Sequence, residues 1–268
     1  MSHGGLPPRV RWLPGSMRRR TIGLRRTRRT APLTHNVSRF GDDPVSLPRR
    51  ETIDCPKCGS PHELCLWANV NVTTDPDLKR EVLDGSIAHF VCRTCRYSCK
   101  IEYDLLYHDM TKHIAVWLKY PVEGGFFSID PAAASMSDVF GETYIRRVVP
   151  SYEELVEKIR IADAGFDDCE IELVKLFVCI REQIDITEPF VFAGLKTSLL
   201  GGTSVAFTCV EDDKSRDQHY PLQNIESTIT KIRPLLRQLP RDEEAWPYIN
   251  RGYVLKRLSD AGLMRHLE

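Results

Sequence analysis

The chain has 268 residues, of which 42% are apolar and 28% charged. That composition excludes a low-complexity disordered protein, and the length allows one large domain or two small ones around a buried core. The longest apolar run, Leu173 to Ile180, is broken by Lys175, whereas a membrane helix needs about 20 apolar residues, so no membrane span is expected. A net charge of zero hides a split. Residues 1–50 hold 12 arginines against Asp42 and Asp43, or +10, while the remainder holds 25 basic and 35 acidic residues, or −10. An acidic body repels phosphate, which argues against broad nucleic-acid binding by the core.

Residues 1–50 are expected to be a disordered, arginine-rich leader. Six prolines between Pro7 and Pro48 break any helix, and the clusters Arg18–Arg20 and Arg25–Arg29 repel one another. A nucleic-acid arm, a transit peptide, and a dispensable or upstream stretch with a later start at Met17 or beyond all fit this composition. No apolar segment follows Arg19-Arg20, so a twin-arginine signal does not fit. Nine spread cysteines without a signal peptide point to a reducing cytoplasm.

The most informative pattern is Cys55-Pro56-Lys57-Cys58-Gly59 followed by Cys92-Arg93-Thr94-Cys95, with 33 residues between the two pairs. A short C-x-x-C turn aims two sulfurs at one point, and two such turns suit one tetrahedral zinc at Zn–S distances of about 2.3 Å. Cys55, Cys58, Cys92 and Cys95 are therefore the expected ligands of a structural Zn2+. Structural zinc contributes roughly 10–16 kcal/mol in small finger peptides, so Cys58→Ser should unfold this module. A redox dithiol at Cys55–Cys58 would open a helix, and Gly59-Ser60-Pro61 argues against one.

Between the knuckles, Glu63 to Val72 is rich in β-formers and reads as a strand. Thr74 or Asp75 caps a short helix with Pro76 in its first turn, the stripe Leu78, Val82 and Leu83, and Gly85 as its end. Ile87–Val91, Tyr97–Tyr103 and Lys112–Tyr120 read as further strands. Cys65 and Cys99 are expected as buried strand residues, and His62 and His89 as solvated, with support of a ligand as the sharper alternative. Leu105-Leu106-Tyr107-His108-Asp109 reads as a turn, with an acid–base pair at His108 and Asp109 as the competing possibility.

These motifs, in this order, resemble the bacterial CpXC domain: the first cysteine pair with its proline, Asn71-Val72-Thr73 with Asp75-Pro76-Asp77-Leu78-Lys79, the second pair, and Leu105–Asp109. The resemblance covers about residues 51–185 and implies a fold and a metal site but no activity. Two departures stand out: Arg93 replaces the family's proline, and Arg96 sits where a knuckle prefers glycine. A left-handed Arg96 costs on the order of 1 kcal/mol.

In the remainder, Gly124-Gly125 and Pro131–Ser135 mark loops, and Thr143–Val149 reads as a strand. Ser151 and Glu154 form a capping box for a helix carrying Leu155, Ile159 and Ala162, which Gly165 ends. Asp167 or Asp168 opens a second, nearly buried helix, giving a helical hairpin. Asp167, Asp168, Glu170 and Glu172 read as dipole-stabilising carboxylates rather than a metal patch. Strands follow at Phe190–Leu195 and Thr203–Val210, with a polar turn at Glu211–Lys214. A helix interrupted at Pro234 spans Ile225–Leu239, and a last one spans Tyr253–Leu267. Trp246, Tyr248 and Tyr253 read as packing residues. No phosphate loop or G-x-S-x-G elbow occurs.

The resulting expectation is an α+β chain in three parts: the leader 1–50, a zinc-ribbon-like domain with an inserted helix at 51–149, and an α+β domain with a helical hairpin at 150–268. Four thiolates leave no open position for catalysis. The leading expectation is therefore a zinc-stabilised binding or adaptor module for an unknown protein or small ligand, more a binder than an enzyme. The alternatives are a nucleic-acid-binding ribbon using Arg93, Arg96 and Lys100, and an enzyme with a site near His108 and Asp109.

Overall fold

The computed structural model describes residues 11–14, 46–121, 140, 143–199, 201–211, 214–239 and 244–264. The expected loops at Gly124-Gly125 and Pro131–Ser135, the turn at Asp212-Asp213 and most of the leader lie outside these residues. The chain is α+β and divides into two compact units, Met1–Tyr103 and Asp104–Glu268.

The first unit contains β1 (Arg11–Pro14), β2 (Leu47–Asp54), β3 (Pro61–Asn71), α1 (Pro76–Asp84), a 3-10 turn (Ser86–Ala88), β4 (His89–Val91) and β5 (Ser98–Glu102). Strands β2 and β3 pair antiparallel up to Asp54 opposite Pro61. Strands β4 and β5 pair antiparallel up to Val91 opposite Ser98. Each C-x-x-C segment is thus the turn of a hairpin. Two parts of the leader are strand: β1, on the outer side of β5, and Leu47–Arg50 at the start of β2. β1 is set by a partner distant in sequence, which local composition does not reveal, whereas Leu47–Arg50 extends the β2–β3 hairpin back into the leader.

Helix α1 is where the sequence places it, and Gly85 ends it in the left-handed region at φ +82°. Its cap differs from expectation. Asp75 is the N-cap residue, yet its side chain caps nothing. Instead Asp75 Oδ2 accepts from the Ser46 backbone at 3.3 Å and from the Thr74 hydroxyl at 3.0 Å. Buried Asn71 binds the Ser46 hydroxyl through its N–H and accepts from Thr73 N–H through its side chain. The Asn71–Asp75 motif is therefore a hydrogen-bonded turn feeding the helix. Leu78 and Val82 bury the apolar stripe. Residues 86–88 form a 3-10 turn, so the strand expected at Ile87–Val91 starts only at His89.

The second unit begins with β6 (Leu105–Asp109), β7 (Ile114–Leu118) and β8 (Ile145–Val149). Strand β7 pairs antiparallel with β6 and parallel with β8. The turn expected at Leu105–Asp109 is thus a fully buried strand. Its two polar residues, His108 and Asp109, masked the apolar run. Next come α2 (Tyr152–Asp163) and α3 (Asp168–Glu182), then β9 (Phe190–Ser198), β10 (Gly202–Glu211) and β11 (Lys214–Pro221), then α4 (Leu222–Leu236) and α5 (Arg251–Asp260).

Ser151 caps α2 by accepting from Glu154 N–H, and its hydroxyl donates to the Glu154 carboxylate. Asp167 caps α3 by accepting from Glu170 N–H at 3.1 Å. Strands β9, β10 and β11 form an antiparallel meander. Strand β11, whose exposed face is polar, escaped the sequence reading. A core of Phe190, Phe192, Phe207, Ile171, Val174, Ile225 and their neighbours joins this sheet to the helices. Pro234 falls in the last turn of α4 and does not interrupt it. Helix α5 starts earlier than expected because Asn250 accepts from Tyr253 N–H at 2.7 Å, and it ends at Asp260. Trp246 is fully buried against Trp117 and Phe140, as the packing reading expected.

Candidate metal centre

The two knuckles are built alike. In the first, Cys55 N–H donates to Ser60 O at 2.9 Å and Gly59 N–H to Cys55 O at 2.8 Å. In the second, Cys92 N–H donates to Tyr97 O at 2.8 Å and Arg96 N–H to Cys92 O at 3.0 Å. Both turns need a left-handed residue after the second cysteine: Gly59 has φ +73° and Arg96 φ +59°. Glycine takes this conformation freely. The arginine takes it at the expected cost of order 1–2 kcal/mol.

The four sulfurs converge. Cys55 Sγ lies 3.7 Å from Cys95 Sγ, Cys58 Sγ lies 3.6 Å from Cys92 Sγ, and all four lie within 4.8 Å of one another. These spacings exclude disulfides, whose sulfurs sit about 2.05 Å apart, and all nine cysteines are free. A tetrahedron with metal–sulfur bonds of about 2.3 Å has sulfur–sulfur edges of about 3.8 Å. The cluster is compatible with binding one metal ion. Cys55 and Cys92 are buried, whereas Cys58 is exposed, so the cluster lies just beneath the surface.

Protonation of the free thiols is uneven. Cys58 is drawn down to about 6, chiefly by the Ser60 hydroxyl 3.3 Å away and then by the Ser60 backbone N–H. Burial opposes ionisation of Cys92, but the backbone amides of Cys95 and Thr94 prevail and hold it below the usual thiol value. At Cys95 the Tyr97 amide favours the thiolate; desolvation and the other three sulfurs outweigh it and push Cys95 up to about 12. Cys95 thus keeps its proton until a cation displaces it, so metal uptake releases that proton.

His62 belongs to this centre. Its Nε2 lies 3.2 Å from Cys92 Sγ, and its ring sits edge-on to buried Phe90 at 5.3 Å. Such a contact orients a sulfur and offsets its charge, so the solvated reading of His62 is corrected. His89 instead binds the Ser98 hydroxyl at 2.7 Å. Cys99 is buried as expected, but Cys65 is exposed. Strand alternation puts it on the outer face of β3, on the opposite side from buried Leu66.

The His108–Asp109 pair does not form. Successive strand residues point to opposite faces. His108 Nε2 lies 3.1 Å from the Tyr144 hydroxyl with Phe140 edge-on, whereas Asp109 accepts from Lys112 N–H. Burial holds His108 down to about 4.

Sequence reasoning missed a buried charge network in the second unit. Lys158 Nζ lies 3.1 Å from Asp168 and 3.2 Å from Glu172; Lys175 Nζ lies 2.9 Å from both Glu157 and Glu172. Arg147 grips Asp168 with two nitrogens at 2.7 and 2.8 Å. Glu157 also accepts from Phe192 N–H on β9. Asp168 and Glu172 are thus ion-pair partners rather than dipole carboxylates, and Glu170 pairs with Arg233. Asp167, Asp168 and Cys169 come together, but Asp167 caps α3 and Asp168 holds two cations. The signal in the sequence was charge at Glu157, Lys158, Glu172 and Lys175 on helices otherwise too apolar to be surface elements.

Residues 53–175 match the model of the CpXC protein family. The match covers this segment, a little under half of the chain. It contains both knuckles, α1, β6 to β8, α2 and most of the charge network. No curated protein and no solved structure gives a significant match to the chain.

Proposed function

We propose that Cys55, Cys58, Cys92 and Cys95 hold one structural zinc ion as thiolates, and that this chain is a CpXC-family, zinc-stabilised binding or adaptor module of a reducing cytoplasm. The observation that carries the metal reading is the convergence of two hairpin tips with sulfur–sulfur distances of 3.6 and 3.7 Å, close to the tetrahedral edge of about 3.8 Å. Four-sulfur tetrahedral sites suit zinc or iron. When bound, zinc supplies charge and a cross-link rather than Lewis acidity, since four thiolates leave no position for water. Ser60 and the knuckle amides stabilise the thiolates, and His62 orients Cys92. The zinc-ribbon description of the first unit follows from this assignment.

A binding role rests on the closed character of such a site, with a protein or small ligand as partner. A nucleic-acid reading is favoured by one specific observation: Lys57, Arg93, Arg96 and Lys100 are all exposed on or beside the knuckles. It requires binding that weakens steeply as salt rises. Among the described residues no helix is long and apolar enough to cross a membrane.

The test is elemental analysis of the purified full chain. One zinc per chain is expected, with loss of metal and of first-unit amide protection in Cys58→Ser and in Cys95→Ser. A native chain that folds without metal, or that holds iron in place of zinc, overturns the assignment.

A further inference from the structure

Strand β5 is paired on both sides. On one side stands β4, three residues long; on the other stands β1, from the arginine-rich leader. Arg11 is opposite Glu102, Trp12 opposite Ile101, Leu13 opposite Lys100 and Pro14 opposite Cys99. Without β1, β5 would present a row of open backbone donors and acceptors, the kind of edge that recruits another strand. Directly opposed positions fall on one face of an antiparallel pair. The positions of Trp12 and Pro14 therefore belong to the face where Ile101 and Cys99 are buried, and that of Arg11 to the face of Glu102. A proline is tolerated on an edge strand and stops further pairing.

We propose that the outer edge of β5 is a strand-addition site that captures an extended segment by backbone pairing, and that the chain's own Arg11–Pro14 fills it. The segment acts as an intramolecular plug that an external strand must displace. β5 begins three residues after Cys95, so the site is held in place by the second knuckle. This inference deepens the binding-module reading and rests on it for its biological meaning.

The test uses the full chain carrying Trp12→Pro and Leu13→Pro, which removes two backbone donors from β1. Hydrogen exchange of the Ser98–Glu102 amides is followed, with zinc content measured on the same samples. Exchange at the β5 amides facing β1 is expected to rise about tenfold or more in the variant. Intramolecular tethering supplies effective concentrations on the order of mM. A synthetic peptide of residues 9–16 at about 1 mM should then restore protection in the variant and leave the parent unchanged. Equal exchange in parent and variant overturns the plug, and a peptide that fails to protect the variant overturns the site. Loss of zinc from both chains would instead count against the metal module, which keeps the two failures apart.

Discussion

Replacing Lys158 by methionine removes one ammonium from a buried set of three cations (Arg147, Lys158, Lys175) and three anions (Glu157, Asp168, Glu172). The Lys158 side chain is 2% exposed, with carboxylate oxygens at 3.1 and 3.2 Å. At an effective dielectric of about 20, each contact is worth roughly 5 kcal/mol of Coulomb energy before desolvation is subtracted. Methionine keeps the apolar stem but leaves Asp168 and Glu172 in excess by one charge. Breaking a buried pair on one side costs about 3–5 kcal/mol, and that is the loss expected in urea unfolding followed by tryptophan fluorescence. Removing Glu172 as well (Glu172→Leu) leaves two balanced pairs, Lys175 with Glu157 and Arg147 with Asp168. The double variant should therefore be more stable than Lys158→Met alone, a non-additivity that identifies charge imbalance rather than lost packing. The reasoning fails if Lys158→Met costs less than about 1 kcal/mol, or if the two losses simply add.

The same network sets a pH window. Burial opposes ionisation of Asp168 and Glu172, but Lys158 with Arg147 and Lys175 respectively outweighs it and holds both below the ordinary carboxyl range. Their contribution is complete above the unfolded values of about 4 and is lost as pH falls below them, so acid unfolding of the second unit should begin near there. His108 acts at higher pH. Buried neutral and held down to about 4, it binds a proton in the unfolded chain before the folded one. Stability should fall by about 1 kcal/mol between pH 7 and pH 5.5, and His108→Gln, which can still reach Tyr144, should flatten that slope in pH-dependent unfolding. Arg96→Gly should stabilise the first unit by about 1 kcal/mol, since glycine accepts φ +59° without strain; thermal denaturation of the metal-loaded chain checks it, and a loss of stability refutes the strain argument.

What the sequence made legible was local. Gly59 and Gly85 carried their turns, Ser151 and Asp167 their caps, and the cysteine spacing its convergence, because each is decided within a few residues. What it hid depends on partners far along the chain. β1 is a strand because β5, some 90 positions later, offers an edge. β6 reads locally as a turn because His108 and Asp109 look polar, yet His108 finds Tyr144, 36 positions later. The lysines of α2 and α3 look like surface charges until the antiparallel hairpin sets Lys158 beside Glu172 and Lys175 beside Glu157.

The strand lengths of the first unit give the proposed zinc its physical reason. β1 has four residues, β4 three and β5 five, and a sheet of such short strands has little apolar face to stand on by itself. The 3-10 turn and α1 bury only Ile87, Ala88, Leu78 and Val82, and β4 and β5 only Phe90, Cys99 and Ile101. A metal joining the tip of β4–β5 to the tip of β2–β3 closes a loop of more than thirty residues in the folded state only, which is where a cross-link contributes most. The left-handed Arg96 fits the same logic: a strain of order 1–2 kcal/mol is tolerable when roughly 10–16 kcal/mol of metal binding depends on the turn it shapes. Chelation should therefore unfold the first unit before the second, whose core and ion pairs stand on their own residues. Amide exchange after treatment with a chelator distinguishes this order from a single concerted loss, and a concerted loss would mean that the second unit, too, depends on the metal.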